Sequence, residues 1–297
     1  MTGILSQAAA LLLLMLFGLA AVRRKVIGEA EIHAAYRIVL HFSLPCLMIA
    51  KLQQRADPQQ MAELWDVFWM GGLSMLVCGC AAALVFRNAE PRRKAVLMNM
   101  AMFSNTGFMG FPVLTAVYDA DRLIYGVIYV AIFNLLNWSL GPMLFDRRNF
   151  RWQALLNPAM VAGLAGILLF LCPFRLPDCI FNALELMGNT TTPLALFIVG
   201  ARLSHLRLSE LRDPAMLCAC ALRLIVLPLL VYAFTALLGA SDIVQGVIVL
   251  CTAMPCAATL TVQAASANGD TALASQAVAL STALSCLTIP LAALLMA

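Results

Sequence analysis

Charge is the scarcest property of this sequence. Only 11% of its 297 residues are Asp, Glu, Lys or Arg, while 63% are hydrophobic. Soluble domains run nearer a quarter charged and half apolar. A chain so poor in charge cannot cover a core with polar surface, and lipid is the solvent that suits it. No polar stretch is long enough to fold as a separate soluble domain. Catalytic signatures are missing too: there is no H-E-x-x-H, no G-x-S-x-G and no P-loop. The sequence therefore reads as neither an enzyme nor an ATP-driven pump. The ten cysteines include no C-x-x-C and no Cys/His cluster with metal spacing, so neither a metal nor a cofactor is expected. Most cysteines lie inside apolar runs, where the thiol packs as a small hydrophobe. Cys172 and Cys179 flank one short loop and are the one pair placed to bridge. No cleavable leader is expected either. The first apolar run, Ile4 to Val22, carries its basic residues after it, at Arg23, Arg24 and Lys25, the reverse of a signal peptide.

What is there is a series of apolar runs of membrane-spanning length, about 20 residues each. Ten are expected, at 4–22, 33–52, 66–86, 95–117, 123–145, 157–173, 181–201, 214–238, 243–266 and 272–296. The net charge of +4 has a location rather than a nucleic-acid meaning. Odd-numbered loops hold Arg23, Arg24 and Lys25; Arg87, Arg92, Arg93 and Lys94; Arg147, Arg148 and Arg151; and Arg202, Arg207 and Arg212. Even-numbered loops hold only Lys51, Arg55, Arg122 and Arg175. The positive-inside rule puts the odd loops in the cytoplasm and both termini outside. The expected location is a membrane, crossed many times.

The two halves show matching irregularities. Pro45 interrupts the second span and Pro193 the seventh; Gly107, Gly110 and Pro112 interrupt the fourth, and Pro255 the ninth. Five spans per half makes any repeat inverted, with a first repeat at 1–145, a cytoplasmic linker at 146–156 and a second repeat at 157–297. Paired, interrupted spans point to a transporter binding site, although Pro and Gly are also common in ordinary membrane helices. The fold expected is an all-α integral membrane protein of ten helices, with the fourth and ninth broken.

The segment Ser104-Asn105-Thr106-Gly107-Phe108-Met109-Gly110-Phe111-Pro112 concentrates the features that open a helix. Proline removes a donor and glycine lowers the penalty for leaving helical geometry. Freed backbone at membrane depth is tolerated only inside protein or beside a wet cavity. A helix N-terminus opened there suits a carboxylate. Pro255, Thr259, Thr261 and Gln263 form a comparable segment in the ninth span. Arg223 lies about ten residues into the eighth span, too deep to snorkel; a substrate carboxylate, a fixed acid or helix-end carbonyls could each receive it. His41 and Glu185 are the titratable groups available for proton coupling. Asn134, Asn137 and Asn189 are polar at depth and serve equally well as helix–helix glue.

These residues resemble the auxin efflux carrier family in its bacterial branch, which includes proteins described as malonate permeases. The resemblance is carried by Asn105 to Pro112, Ala253-Met254-Pro255, Arg223 to Pro228, Leu44-Pro45-Cys46-Leu47 and the tail Ser281 to Pro290. It implies an inverted ten-helix repeat with helices four and nine crossing. It also implies a scaffold of helices one, two, six and seven beside a transport domain, an elevator-like movement, and a homodimer through the scaffold face. The substrate site would include Asn105, Pro112 and Pro255. Together with Thr106, Gly107, Gly110, Thr259, Gln263 and Arg223, these are the expected substrate-binding residues. The long central loop of plant members is absent, which argues against auxin itself.

The expectation is thus a secondary transporter for a small mono- or dicarboxylate, embedded in lipid and without nucleic-acid partners; the resemblance implies a bacterial inner membrane. A sodium-coupled organic-anion symporter of bile-acid type is the nearest alternative. A lipid-modifying enzyme would need converging His, Asp or Ser groups, and a receptor would need a signalling domain; the sequence offers neither.

Overall fold

A computed structural model of the chain describes residues 2–53, 58–118, 122–146, 158–171, 175–205 and 213–296. Cys172 and most of the linker expected at 146–156 fall outside them. Among the described residues no strand forms, and the one β-type contact is an isolated bridge between Ser104 and Cys256.

The helices are α1 Thr2–Arg23, α2 Glu29–Lys51, α3 Pro58–Val85, α4 Pro91–Met102, α5 Phe111–Val117, α6 Leu123–Phe145, α7 Pro158–Leu171, α8 Asp178–Asn189, α9 Thr191–Arg202, α10 Pro214–Leu237, α11 Asp242–Thr252, α12 Thr259–Ser266 and α13 Thr271–Met296. Every stretch expected to be helical contains helix. The largest departure is α3, which begins earlier than expected, at Pro58. Proline is pre-organised for the first helical turn, where its missing N–H is not needed.

Among the described residues, five helices are each long and apolar enough to cross a membrane: α2, α3, α6, α10 and the Thr271–Ala293 portion of α13. Shorter apolar helices cover Leu12–Arg23, Val161–Phe170 and Asp242–Thr252. The fourth and ninth expected spans do not qualify by length because each is split in the middle, into α4 and α5 and into α11 and α12. Large apolar side chains stand exposed on α1 (Leu13, Leu16, Phe17), α7 (Leu164, Leu168) and α10 (Leu229, Leu237). Such continuous apolar surface marks a lipid-facing exterior, and the chain is a multi-pass membrane protein.

Among the described residues, three helical segments pass through a wide π turn, at Val39–Ser43, Thr106–Gly110 and Leu222–Val226. Each turn ends two residues before a proline: Pro45, Pro112 and Pro228. Proline cannot donate to the carbonyl four residues back and its ring clashes with it. The looser turn spreads that misfit over a wider ring of backbone. Leu44 and Leu227 accordingly donate five residues back, to Val39 and Leu222.

Packing divides into two groups. In one, α1 lies along α9, and the second half of α2 lies against α7 and α8. In the other, α3 packs on α4, α6, α10 and α11, and α12 packs on α13. The α1–α9 contact depends on Gly18 and Gly200. A Cβ at Gly18 would stand 1.9 Å from the Phe197 carbonyl oxygen, and one at Gly200 would stand 1.8 Å from the Met15 carbonyl oxygen. Backbone therefore meets backbone in two places, as in other close membrane helix pairs. The interrupted positions of the second and seventh spans also meet: the Ser43 and Thr190 hydroxyls lie 2.8 Å apart, and Gly188 abuts the Leu47 backbone.

At one end of the bundle, Arg93 at the start of α4 donates to the Asp213 carboxylate, which also caps α10 through the N–H groups of Ala215 and Met216. Burial pushes the Asp213 carboxyl up, but the Arg93 guanidinium and the two N–H donors more than offset this and hold it below its ordinary value.

Two outcomes are expected. Gly200→Val forces α1 off α9 and lowers the melting temperature of detergent-purified protein, by an amount corresponding to about 1–3 kcal/mol of overpacking; an unchanged melting temperature contradicts the close contact. Asp213→Asn destabilises the protein at neutral pH. Because the Asp213 carboxyl is depressed, its contribution is complete above about pH 4 and fades as pH falls through the lowered value. Melting curves of wild type and variant should therefore converge in acid.

Candidate functional site

The break between α4 and α5 and the break between α11 and α12 meet inside the bundle. Asn105 N–H donates to the Pro255 carbonyl at 2.7 Å, and Ala257 N–H donates to the Phe103 carbonyl at 2.9 Å. These two bonds make the antiparallel bridge at Ser104 and Cys256. The local reason is the one read from the sequence: Pro255 and the Gly107–Pro112 stretch take backbone groups out of the helical pattern, and those groups must find partners away from water. Each break supplies partners to the other. Ser281 of α13 completes the set by accepting from Cys256 N–H at 3.2 Å.

Two helices end at this crossing and two begin. The C-terminal ends of α4 and α11 leave carbonyls without intrahelical donors and carry partial negative charge. Arg223, in the π turn of α10 and 1% exposed, reaches both ends. It donates to the carbonyls of Ala101 at 2.6 Å, Met254 at 3.1 Å and Thr252 at 2.5 Å. Its fork is thus occupied by helix-end carbonyls, one of the three partners that its depth in the sequence left open.

The opposite pole of the crossing opens on space instead. The helical segment beginning at Thr106 and α12 beginning at Thr259 start here; the N–H groups of a first turn lack helical acceptors, and two of them are taken locally, Thr106 N–H by the Ser104 carbonyl at 2.8 Å and Leu260 N–H by the Ala257 carbonyl at 3.1 Å. The Thr106 hydroxyl is held by the Ser104 hydroxyl at 2.9 Å. The Asn105 side-chain amide bonds to no protein group among the described residues, although Asn105 is only 6% exposed. It faces a cavity of about 200 Å³ lined also by Glu29, Tyr36, Phe108, Arg202, Ala258 and Thr261. That volume far exceeds the ~10–15 Å³ that one water needs. A smaller chamber of about 30 Å³ adjoins it, sharing Tyr36, Asn105, Phe108 and Ala258 and reaching Gly107, Asn134 and Thr259.

Gln263 lies behind this cavity wall, in a buried amide cluster. Asn99 of α4 donates to its carbonyl oxygen at 2.6 Å, and its own amide donates to the Asn137 backbone carbonyl at 2.8 Å. Thr259 joins through the Asn137 side chain at 3.3 Å. Gly141 allows the approach, since a Cβ there would stand 2.5 Å from the Gln263 carbonyl oxygen. This cluster ties α4, α6 and α12 together.

The structure therefore brings Asn105, Thr106, Gly107, Pro255 and Thr259 to one place, with Arg223 and Gln263 behind them. Gly110 and Pro112 are buried one turn further along, shaping the segment that starts at Thr106. His41 is exposed on α2, its ring bonded to the Arg37 carbonyl at 2.9 Å, and Glu185 is half-buried on α8; neither lines either chamber. Sequence reasoning missed Arg202 and Tyr36. Arg202 was counted with the loop charges, and nothing local distinguishes it from a residue that merely ends a helix.

The family model described as membrane transport protein matches twice, over residues 4–152 and 147–293. An uncharacterized transporter of Methanothermobacter thermautotrophicus is 26% identical over 274 residues, covering 90% of this chain and 89% of that protein. An uncharacterized transporter of Methanocaldococcus jannaschii is 21% identical over 198 residues, covering 60% of this chain and 62% of that protein.

Arg223→Met keeps much of the volume but orphans the carbonyls of Ala101, Thr252 and Met254. Each buried group left unpaired costs about 1–3 kcal/mol, so the variant should fail to fold stably, whereas Arg223→Lys should fold with a lowered melting temperature. A wild-type melting curve for Arg223→Met would contradict the shared cap.

Proposed function

The chain belongs to the auxin efflux carrier family of membrane transport proteins, and we propose that it is a secondary transporter for a small organic anion, such as malonate or a related carboxylate. The observation that carries this reading is an imbalance of charge at the crossing. Arg223 neutralises the C-terminal ends of α4 and α11. The N-terminal ends of the Thr106 segment and of α12 border the adjoining chambers through Gly107 and Thr259, and the carboxylate that lines them, Glu29, is 61% exposed on the α2 side. A helix N-terminus in a water-poor site favours an anion, and a substrate carboxylate would supply it. Asn105 would hold that carboxylate through its unbonded amide. Thr106, Gly107, Gly110, Pro112 and Pro255 would shape the backbone around it, and Thr259 would border it. Gln263 and Arg223 would keep the crossing rigid.

The transporter would cross the membrane ten times, as two inverted five-helix repeats, with both termini on the outer side. Loop contacts support that path. Arg93 and Asp213 join loops three and seven, and Gln53 accepts from the Leu176 N–H at 3.0 Å across loops two and six; alternation puts each pair on one face. The two packing groups suit a scaffold, containing α1, α2 and α7 to α9, beside a mobile group carrying the crossing. Alternating access would come from an elevator-like shift between them. His41 and Glu185 stand apart from the cavities, so the proposed path uses neither.

Uptake of radiolabelled malonate and a panel of related carboxylates into proteoliposomes tests the proposal. Asn105→Ala is expected to lower uptake about tenfold or more, the scale of a lost bond to a charged group, without a matching loss of thermal stability. Uptake equal to wild type would overturn the site. Repeating the assay with and without a sodium gradient separates this reading from sodium-coupled symport.

A further inference from the structure

We propose that Arg202 is a specificity-determining residue of this transporter: it reads a second anionic group at the end of the cavity away from the crossing, so that dianions bind in preference to monoanions of the same chain length. The inference rests on the anion site proposed above, with Asn105 and the helix N-termini holding the first carboxylate.

The larger cavity has two unlike walls. Asn105, Phe108, Ala258 and Thr261 come from the crossing helices, while Tyr36, Val199 and Arg202 come from α2 and α9. Arg202 is the cationic side chain among the lining residues, and no carboxylate among the described residues pairs with it. Its Nε is buried and has no hydrogen-bond partner among the described residues. An arginine at a helix C-terminus is favoured by the dipole wherever it points, but this one is held in position. Its guanidinium carbon lies 5.6 Å from the centre of the Tyr36 ring. Tyr36 in turn stacks on Phe108 at 4.8 Å, with planes 7° apart. A guanidinium oriented on an aromatic face keeps its planar fork free for a carboxylate.

Glu29 is the other charged group on the cavity. Its side chain is 61% exposed and lies 3.8 Å from His33. That position is on the solvated rim, where water and salt screen it. A cavity of about 200 Å³ with one anion-seeking group in each wall suits an elongated substrate charged at both ends. Of the two groups, Arg202 is the one that a monoanion held at the crossing leaves unused.

The test is a binding titration of purified full-length protein with chain-matched pairs, succinate against butyrate and glutarate against valerate, in wild type, Arg202→Gln, Arg202→Lys, Tyr36→Leu and Asn105→Ala. Wild type should favour the dianion about tenfold or more. Arg202→Gln should abolish that preference while still binding the monoanion. Arg202→Lys should keep part of it, since a point charge lacks the fork. Tyr36→Leu, which retains the charge and loses the platform, should weaken it. An unchanged preference in Arg202→Gln, or none in wild type, overturns this role. If Asn105→Ala still abolishes binding in that case, the anion site survives the failure. If Asn105→Ala binds both acids as wild type does, the site and this inference fall together.

Discussion

Everything at the centre of this protein depends on one guanidinium. Arg223 donates to the terminal carbonyls of two helices that stop halfway through the bundle. Interrupting a helix inside a membrane protein exposes polar backbone to a medium without water, at several kcal/mol per unsatisfied group. Two interruptions side by side would be prohibitive if each had to be satisfied alone. The crossing answers most of the demand with bonds between the two breaks, and Arg223 answers the remainder. A buried arginine is itself expensive unless fully paired. Here the deficit of the charge and the deficit of the carbonyls cancel, which is why neither persists.

That cancellation is one-sided, and the asymmetry gives the site its character. The C-terminal poles are neutralised within the protein, while the N-terminal poles are left beside chambers in which the Asn105 amide has no protein partner among the described residues. Supporting groups surround this pole without filling it. The Asn99–Gln263–Asn137 cluster locks α4, α6 and α12 behind it, and the tightness of that lock is visible in Gly141, where a methyl group would collide with Gln263. Polar side chains that looked alike along the chain thus separate into those that hold the frame and those that face space.

The prolines play a second part away from the crossing. At Pro45 and Pro228 the chain absorbs the missing donor with a π turn and remains continuous, so α2 and α10 still span. At Pro112 the same wide turn follows an outright break. The difference lies in what precedes the turn. Phe103 and Asn105 have left helical geometry and bond to the ninth-span segment instead, whereas Ile38 and Ala221 remain helical. Proline alone therefore marks an irregularity without saying whether the helix bends or parts.

Composition and periodic apolar runs were enough to establish a helical membrane protein, because a chain with so few charges has no other solvent and every backbone group in lipid must bond within its own segment. The helix positions and the two opened segments, Asn105–Pro112 and the stretch around Pro255, were also legible, since proline and glycine act locally. What each charged or amide side chain does was not. Arg223 could have met a substrate, an acid or a carbonyl, and only the convergence of α4, α10 and α11 decided it. Arg202 read as one more basic residue near a helix end until α2 and α9 brought Tyr36 beneath it. A local sequence determines where a helix must open; which groups then meet across the opening depends on residues more than a hundred positions apart.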